Sequence, residues 1–85
     1  MEVSFDGLKE RLDMLDWPSL YMFKFIVPTL KADEIGIIFN FDNITSKESK
    51  SGKYVSITSH MYLSSPEEVI DIYLKASKVE GVIAL

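Results

Sequence analysis

The sequence predicts a small α+β domain in which a four-stranded antiparallel sheet carries two helices on one face. Some segments alternate apolar and polar side chains with the two-residue period of a strand, and others place apolar residues at the three- and four-residue steps of a helix. After a leading helix, their order is strand, helix, strand, strand, helix, strand. The chain has 85 residues, 47% of them hydrophobic, which suits one domain with its own apolar core.

The leading segment is predicted to be a short amphipathic helix. Its leucines recur at the spacing of one apolar stripe, with charged residues between them. Trp17-Pro18 ends this helix, because proline disfavours the α conformation in the residue before it and cannot continue the helical hydrogen bonds. The stripe consists of Leu8, Leu12 and Leu15.

The first strand is predicted from Ser19 to Val27, where aromatic and β-branched residues predominate. Both faces of this segment are largely apolar, which is typical of a central strand. Lys24 marks the face that meets water or a partner. One face carries Tyr21, Phe23, Phe25 and Val27, and the other carries Leu20, Met22, Lys24 and Ile26.

A helix is predicted after Pro28, with Thr29 as its N-cap and with Asp33 and Glu34 near its positive end. Gly36 inside this helix costs about 1 kcal/mol relative to alanine. The run of isoleucine and phenylalanine that follows also fits a strand, so the pattern leaves both interpretations open.

The polar segment 42–53 is predicted to be an exposed edge strand that ends in a turn at Ser51-Gly52. Residues 54–63 then alternate in polarity, so they are predicted to form a strand with one buried face. Its inward residues are Val55, Ile57, Met61 and Leu63, and its outward residues are Tyr54, Ser56, Thr58, His60 and Tyr62.

The last helix has a defined start. Ser65 is the predicted N-cap, Pro66 takes the first helical position, and Glu68 completes a capping box. Apolar residues then recur at helical spacing. Gly81 fits the position just after the helix, and residues 82–85 are predicted to form a short final strand.

The predicted order βαββαβ is that of a ferredoxin-like two-layer sandwich, here with an extra short N-terminal helix. We therefore divide the chain into an N-terminal amphipathic helical extension, residues 1–16, and a ferredoxin-like domain, residues 17–85. Whether the leading helix covers part of the outer face of the sheet is left open by the sequence.

Several segments together resemble the YbeD-like family, domain of unknown function 493. The matching parts are Trp17-Pro18, the strand segment 21–24, the turn and strand 49–57, and the closing helix up to Gly81. The leading helix, and a short first crossover helix that contains Gly36, depart from the family pattern. The resemblance implies a ferredoxin-like fold related to the amino-acid-binding ACT domains, a small cytoplasmic bacterial protein, and a regulatory role.

Polar side chains on two neighbouring strands form the candidate ligand or interaction face. Lys24 lies on the first strand, and Ser56, Thr58 and His60 lie on the outward side of the third. An ammonium group with hydroxyls and an imidazole suits a carboxylate or a phosphate, because charge-assisted hydrogen bonds are the strong ones. The alternative is that Lys24 and His60 only solvate an exposed face.

Residues 47–53 form the basic segment of the chain. A nucleotide-binding phosphate loop needs glycine five positions before its Gly-Lys pair and a hydroxyl residue after it, whereas Lys47 and Tyr54 occupy those positions. The segment is therefore predicted to be a solvated hairpin turn whose lysines protect an edge strand. The candidate basic turn consists of Lys50, Ser51, Gly52 and Lys53.

Composition narrows the function classes. Thirteen acidic and nine basic residues give a net charge of −4, which disfavours nucleic acid as a partner. Without cysteine and with a single histidine, the sequence gives no basis for a cofactor, a Cys/His metal site or a thiol nucleophile. We expect no enzymatic activity, since no residue set supplies a nucleophile, a base and an orienting acid. With no export signal and no apolar run long enough to cross a membrane, we expect a cytoplasmic protein.

Three functions remain. The preferred one is a non-catalytic regulatory or protein-interaction module, whose partner is an unknown protein or a second copy in a homodimer, because the outer face carries apolar residues. The second is an ACT-like domain that senses a small metabolite, an amino acid or an anion, near Val27-Pro28-Thr29. The third is RNA binding of the RRM type, which the lack of a central aromatic stacking pair disfavours.

Overall fold

A computed structural model describes residues 5–85 of the chain as three α-helices and one four-stranded sheet. The expectation about an export signal concerns residues 1–4 as well, which lie outside this range. In chain order the elements are α1 (Phe5–Asp13), β1 (Ser19–Pro28), a 3-10 turn (Thr29–Lys31), α2 (Ala32–Ile38), β2 (Ile44–Glu48), β3 (Tyr54–Leu63), α3 (Pro66–Ser77) and β4 (Ile83–Ala84).

The strands are ordered β2-β3-β1-β4, and every neighbouring pair is antiparallel. β1 and β3 are therefore central, as the apolar character of β1 predicts, and the polar β2 lies at an edge. In the register of the central pair, Phe23 lies opposite Ser59 and Lys24 lies opposite Thr58. With α2 and α3 in the two crossovers, this topology confirms the ferredoxin-like βαββαβ sandwich with an extra N-terminal helix.

The core lies between the sheet and the helices. The predicted inward residues of β1 form its centre, since Phe23, Phe25 and Val27 have no exposed surface. The two phenylalanine rings meet Phe39, at the end of α2, and Tyr73, on α3; the ring centroids of Phe23 and Tyr73 are 5.3 Å apart. Burial of a side chain of this size contributes about 1.5–3 kcal/mol. This aromatic cluster therefore fixes the side of the sheet on which the helices pack.

Tyr73 also makes a polar contact that joins α3 to the sheet. Its hydroxyl lies 3.1 Å from the hydroxyl of Tyr21. Burial raises the pKa of Tyr73 above its ordinary value, and the hydrogen bond and charge of Tyr21 raise it further, while the nearby Arg11 lowers it. The native state therefore favours the neutral phenol of Tyr73.

The leading helix, α1, belongs to the same layer as α3. α1 packs against α3, and Leu12 is only 2% exposed within the common core. The Trp17 indole N–H donates to the carbonyl oxygen of Leu12 at 2.9 Å, which ties the end of α1 to the start of the domain. The alternative in which the leading helix covers the outer face of the sheet is therefore wrong. The division between residues 1–16 and 17–85 stays a prediction.

The helical interpretation of the segment after Pro28 is confirmed, but its predicted cap is wrong. α2 begins after Lys31, which makes no side-chain capping bond. Thr29 instead lies in the 3-10 turn, where its hydroxyl donates to the carbonyl oxygen of Gly52 at 2.6 Å and its amide donates to that of Lys53 at 2.9 Å. Because carbonyl groups of the turn between β2 and β3 lie next to Thr29, the Thr29 hydroxyl bonds to this turn and does not cap α2.

The predicted start of α3 is confirmed, since the helix begins at Pro66 after the N-cap Ser65. The capping box is wrong: the Ser65 side chain makes no capping bond, and the carboxylate of Glu68 accepts the amide of Ser64 at 3.0 Å. Glu68 thus bonds one residue further back than the box requires.

The end of α3 and the last strand also differ from the prediction. The helix ends at Ser77, so Gly81 lies beyond the position just after the helix. Its φ of +79° places Gly81 in the left-handed region that glycine adopts readily, and an added Cβ would lie 2.7 Å from Cγ of Pro28. Gly81 is therefore required by the turn into β4, which spans only Ile83–Ala84.

Candidate functional site

One face of the sheet is left open by the helices. Because α1, α2 and α3 pack on the side of Phe23 and Phe25, no helix within residues 5–85 covers the opposite side. We call this opposite side the outer sheet face. Strand pairing places on it Leu20, Met22, Lys24 and Ile26 of β1, Tyr54, Ser56, Thr58, His60 and Tyr62 of β3, Thr45 and Lys47 of β2, and Ile83 of β4.

The register arranges the polar part of this face in two neighbouring rows. Thr45, Thr58 and Lys24 lie opposite one another across three strands, and in the next row Lys47 lies opposite Ser56. A shallow depression of about 310 Å³ lies over these rows. We call it the lysine depression. It is lined by Lys24, Thr45, Ser46, Lys47, Ser56 and Thr58.

Three of the four residues of the predicted face come together here, namely Lys24, Ser56 and Thr58. His60 does not line the depression; it lies one row further along β3, opposite Met22. Sequence reasoning missed Thr45 and Lys47. The pattern placed both in an edge strand, but only the register of β2 against β3 shows that their side chains share a face with Lys24.

The two lysines of the depression carry uncompensated charge. Among the side chains of residues 7–85, the ion pairs are Lys31–Glu34 and Lys75–Asp71, both on helices or the turn before α2. The nearest carboxylate along β2 belongs to Glu48, which lies opposite the buried Val55 and so belongs to the inner side of the sheet. The strand residues of the outer sheet face therefore include two lysines and no acidic side chain.

Charge is strongly segregated between the two layers of the fold. The sheet strands and the turn that joins β2 to β3 contain four lysines and one glutamate, a balance of +3. The helices and the 3-10 turn contain four basic and eight acidic residues, a balance of −4, and the remaining segments of the sequence add a balance of −3. A net charge of −4 thus conceals a basic sheet and an acidic helix layer.

The candidate basic turn extends this charge at one end of the sheet. Gly52 adopts a φ of +73°, its amide donates to the carbonyl oxygen of Ser49, and the amide of Lys53 donates to the hydroxyl of Ser51. These bonds occupy the amides of Gly52 and Lys53 within the turn. Lys50 and Lys53 are exposed, as the interpretation of a solvated hairpin predicts.

The other end of the outer sheet face is apolar. Leu20 is 59% exposed, Met22 is 53% exposed and Tyr62 is 72% exposed. Leu20 and Tyr62 are direct cross-strand neighbours, and Met22 lies in the next row beside His60. Large apolar side chains grouped on a wet surface are typical of contact sites.

The geometry bears on the two alternative functions. Tyr54 and Tyr62 stand eight residues apart on β3, about 27 Å at the rise of a strand, so they do not form a central stacking pair for RNA bases. At the end of β1, the amide and hydroxyl of Thr29 are bonded to the hairpin turn, and this leaves fewer donors for an ACT-like ligand there. The absence of catalysis, of a cofactor and of nucleic acid stays a prediction.

None of the helices within residues 5–85 has the length and apolar character to cross a membrane. In the same range, no three histidine, cysteine, aspartate or glutamate residues lie together in a way that could hold a metal ion.

Comparison with known proteins gives one finding. Neither the curated proteins nor the solved structures include a significant match to this chain. A family model described as "Protein of unknown function (DUF493)" matches residues 13–85, which is most of the chain. The match spans β1, the lysine depression and α3, so it includes the segments on which the resemblance was based. The resemblance is confirmed, and the chain belongs to the DUF493 family.

Proposed function

We propose that this protein is a non-catalytic regulatory module whose outer sheet face binds an acidic partner protein. One observation carries the proposal: the face left open by all described helices is basic, although the chain as a whole is acidic. Surfaces that bind partners carry complementary charge, which steers the encounter and fixes the register. A basic face with an apolar end therefore fits a partner that presents carboxylates beside apolar side chains.

A second copy of this chain fits the face less well. A two-fold dimer of outer sheet faces brings the lysines of both copies onto one interface, where like charges oppose association. A dimer between the basic sheet and the acidic helix layer is heterologous, and such contacts close only as rings or continue as filaments. The charge pattern thus favours a different protein as the partner.

The apolar end supplies the anchors of the proposed interface. Leu20, Met22 and Tyr62 are each more than half exposed. Burial of a leucine or methionine side chain by a partner contributes about 1.5–3 kcal/mol, and tyrosine is enriched among the residues that dominate interfaces. None of the three belongs to the core. Their replacement is therefore expected to weaken binding without unfolding the domain.

The proposal is tested with an acidic peptide probe, poly-L-glutamate of about 15 residues. Its binding is followed by the amide shifts of isotope-labelled protein in NMR. The face variant carries Lys24→Glu and Lys47→Glu; the control carries Lys9→Glu and Lys78→Glu, two exposed lysines of α1 and of the end of α3. Both variants lower the net charge by the same amount, so only the place of the change differs.

Shifts confined to the outer sheet face, lost in the face variant and kept in the control, support the proposal. Equal loss in both variants contradicts it, because net charge alone would then explain the binding. Sedimentation of the free chain adds an independent outcome: a stable dimer that Met22→Asp dissociates would make a second copy the occupant and overturn the assignment of a different protein.

A further inference from the structure

We infer that the lysine depression is a binding site for a phosphoryl group. The inference rests on the same face as the proposed function and names the chemical group that this face holds. It does not require the partner to be known, because the depression is formed by one chain and its lining residues are all described.

The positions of the two lysines follow from the register. Lys24 and Lys47 are separated by the width of two strand spacings and by one row along the strands, which puts their Cα atoms about 12 Å apart. A lysine side chain reaches roughly 6 Å from Cα to Nζ by standard bond lengths. Both ammonium groups can therefore reach one anion held between them over β3.

Hydroxyl groups occupy the space between the two lysines. Ser56 and Thr58 lie on β3 directly between the strands of Lys24 and Lys47, and Thr45 adds a third hydroxyl from the edge strand. Ser56 and Thr58 are partly buried in the sheet surface. The hydroxyl of Ser56 makes only a long bond, 3.4 Å, to the carbonyl oxygen of Lys47. It is therefore free to turn toward a ligand at little cost.

This arrangement favours a phosphoryl group over a carboxylate. A phosphoryl group presents three oxygens and close to two negative charges, so it can use two ammonium groups and hydroxyls from below at the same time. Lysine binds phosphate as a point charge and does not need the planar geometry of a carboxylate pair. A volume of about 310 Å³ leaves room for such a group and for the atom that carries it.

The test titrates labelled wild-type protein with inorganic phosphate at constant ionic strength, with acetate as the carboxylate comparison. Saturable shifts at the amides of Thr45, Ser56 and Thr58 are expected for phosphate. Lys24→Gln or Lys47→Gln should each weaken binding by about tenfold or more, as expected for the loss of a charged hydrogen bond. Lys50→Gln is the matched control, because it removes the same charge three residues further on, in the turn, and should change binding less than about twofold.

Thr58→Val separates the site from a general attraction to a basic surface. This substitution keeps the shape and the net charge and removes one hydroxyl, so weaker phosphate binding with an unchanged melting temperature supports the site. The inference is overturned by non-saturable shifts in the wild-type protein, by equal losses for Lys47→Gln and Lys50→Gln, or by acetate binding as tightly as phosphate.

A final comparison identifies the source of the phosphoryl group. Free O-phosphoserine is compared with a peptide that carries phosphoserine among acidic residues. Tighter binding of the peptide, with shifts extending to Leu20 and Met22, supports a phosphorylated side chain of a partner; equal binding supports a small phosphorylated molecule. If poly-L-glutamate binds and phosphate does not, this inference is refuted and the proposed function stands. If phosphate binds and poly-L-glutamate does not, the proposed function is refuted and this inference stands.

Discussion

Replacement of Ser59 by alanine should stabilise the protein. Ser59 lies on the inner side of β3 between Phe23 and Ile44, has no exposed surface, and its hydroxyl has no hydrogen-bond partner among the described residues. A buried hydroxyl without a partner costs about 1–3 kcal/mol. Alanine removes the polar atom and leaves only a small gap in the packing. The expected gain in the free energy of unfolding is therefore about 1 kcal/mol, which for a chain of this length corresponds to about 5 °C in Tm.

Urea denaturation followed by circular dichroism measures this gain. Ser46→Ala is the matched control, since Ser46 also lies in a strand but is exposed, and its effect should stay within about 0.5 kcal/mol. A lower urea midpoint for Ser59→Ala, with an unchanged dependence on denaturant, would refute the reasoning. It would show that the hydroxyl is satisfied in solution, for example by a buried water molecule.

Three further predictions concern the helices. Gly36→Ala should stabilise the protein by less than the roughly 1 kcal/mol of helix propensity that alanine adds, because a Cβ there forces the ring of Phe41 to move. In a Phe41→Ala background the same change should give the full gain. Urea midpoints of the four proteins measure this, and equal gains in both backgrounds contradict it. Tyr73→Phe should reduce the loss of stability above pH 10. Because the pKa of Tyr73 is raised in the folded state, the unfolded chain releases the phenol proton at a lower pH, and the free energy of unfolding falls as pH rises. Unfolding of both proteins from pH 7 to 11.5 measures this, and an equal dependence on pH in the two proteins contradicts it. Leu12→Ala should lower the free energy of unfolding by about 2–4 kcal/mol, because Leu12 is buried in the core, whereas Leu15→Ala should lower it by less than about 1 kcal/mol, because Leu15 is 42% exposed. Equal small losses in thermal unfolding would show that the protein does not need α1 for stability.

The sheet could be predicted because its signals are local. The two-residue period of residues 54–63 and the apolar faces of β1 depend only on which side of a strand a residue faces, and the buried state of Phe23, Val55 and Ile57 follows from it. The α2 segment was ambiguous, because Gly36 weakens a helix and the isoleucines also suit a strand. Its close contact with Phe41 explains the glycine, and that contact exists only in the folded chain.

Some of the details that failed depend on partners distant in sequence, whereas the capping box of α3 failed through the nearby Ser64, which bonds Glu68. The hydroxyl of Thr29 bonds to Gly52, 23 residues further along, so no local capping rule could assign it. In the candidate site, the outward direction of Lys24, Ser56 and Thr58 followed from alternation alone. Lys47 required the register of an edge strand whose polar sequence specifies register weakly.

The segregation of charge also decides how far the net charge of the chain can be used to exclude ligands. The helices pack on the side of the sheet opposite to Lys24 and Lys47, and charges in physiological salt are screened over about 8 Å. The eight acidic residues of the helices therefore do little to cancel the field of Lys24 and Lys47 at the outer sheet face. A negative net charge argues against binding along a long polyanion such as a nucleic acid, because such binding requires many phosphate contacts. It is no argument against a single anionic group placed between two unpaired lysines, where the local charge and the available donors determine binding.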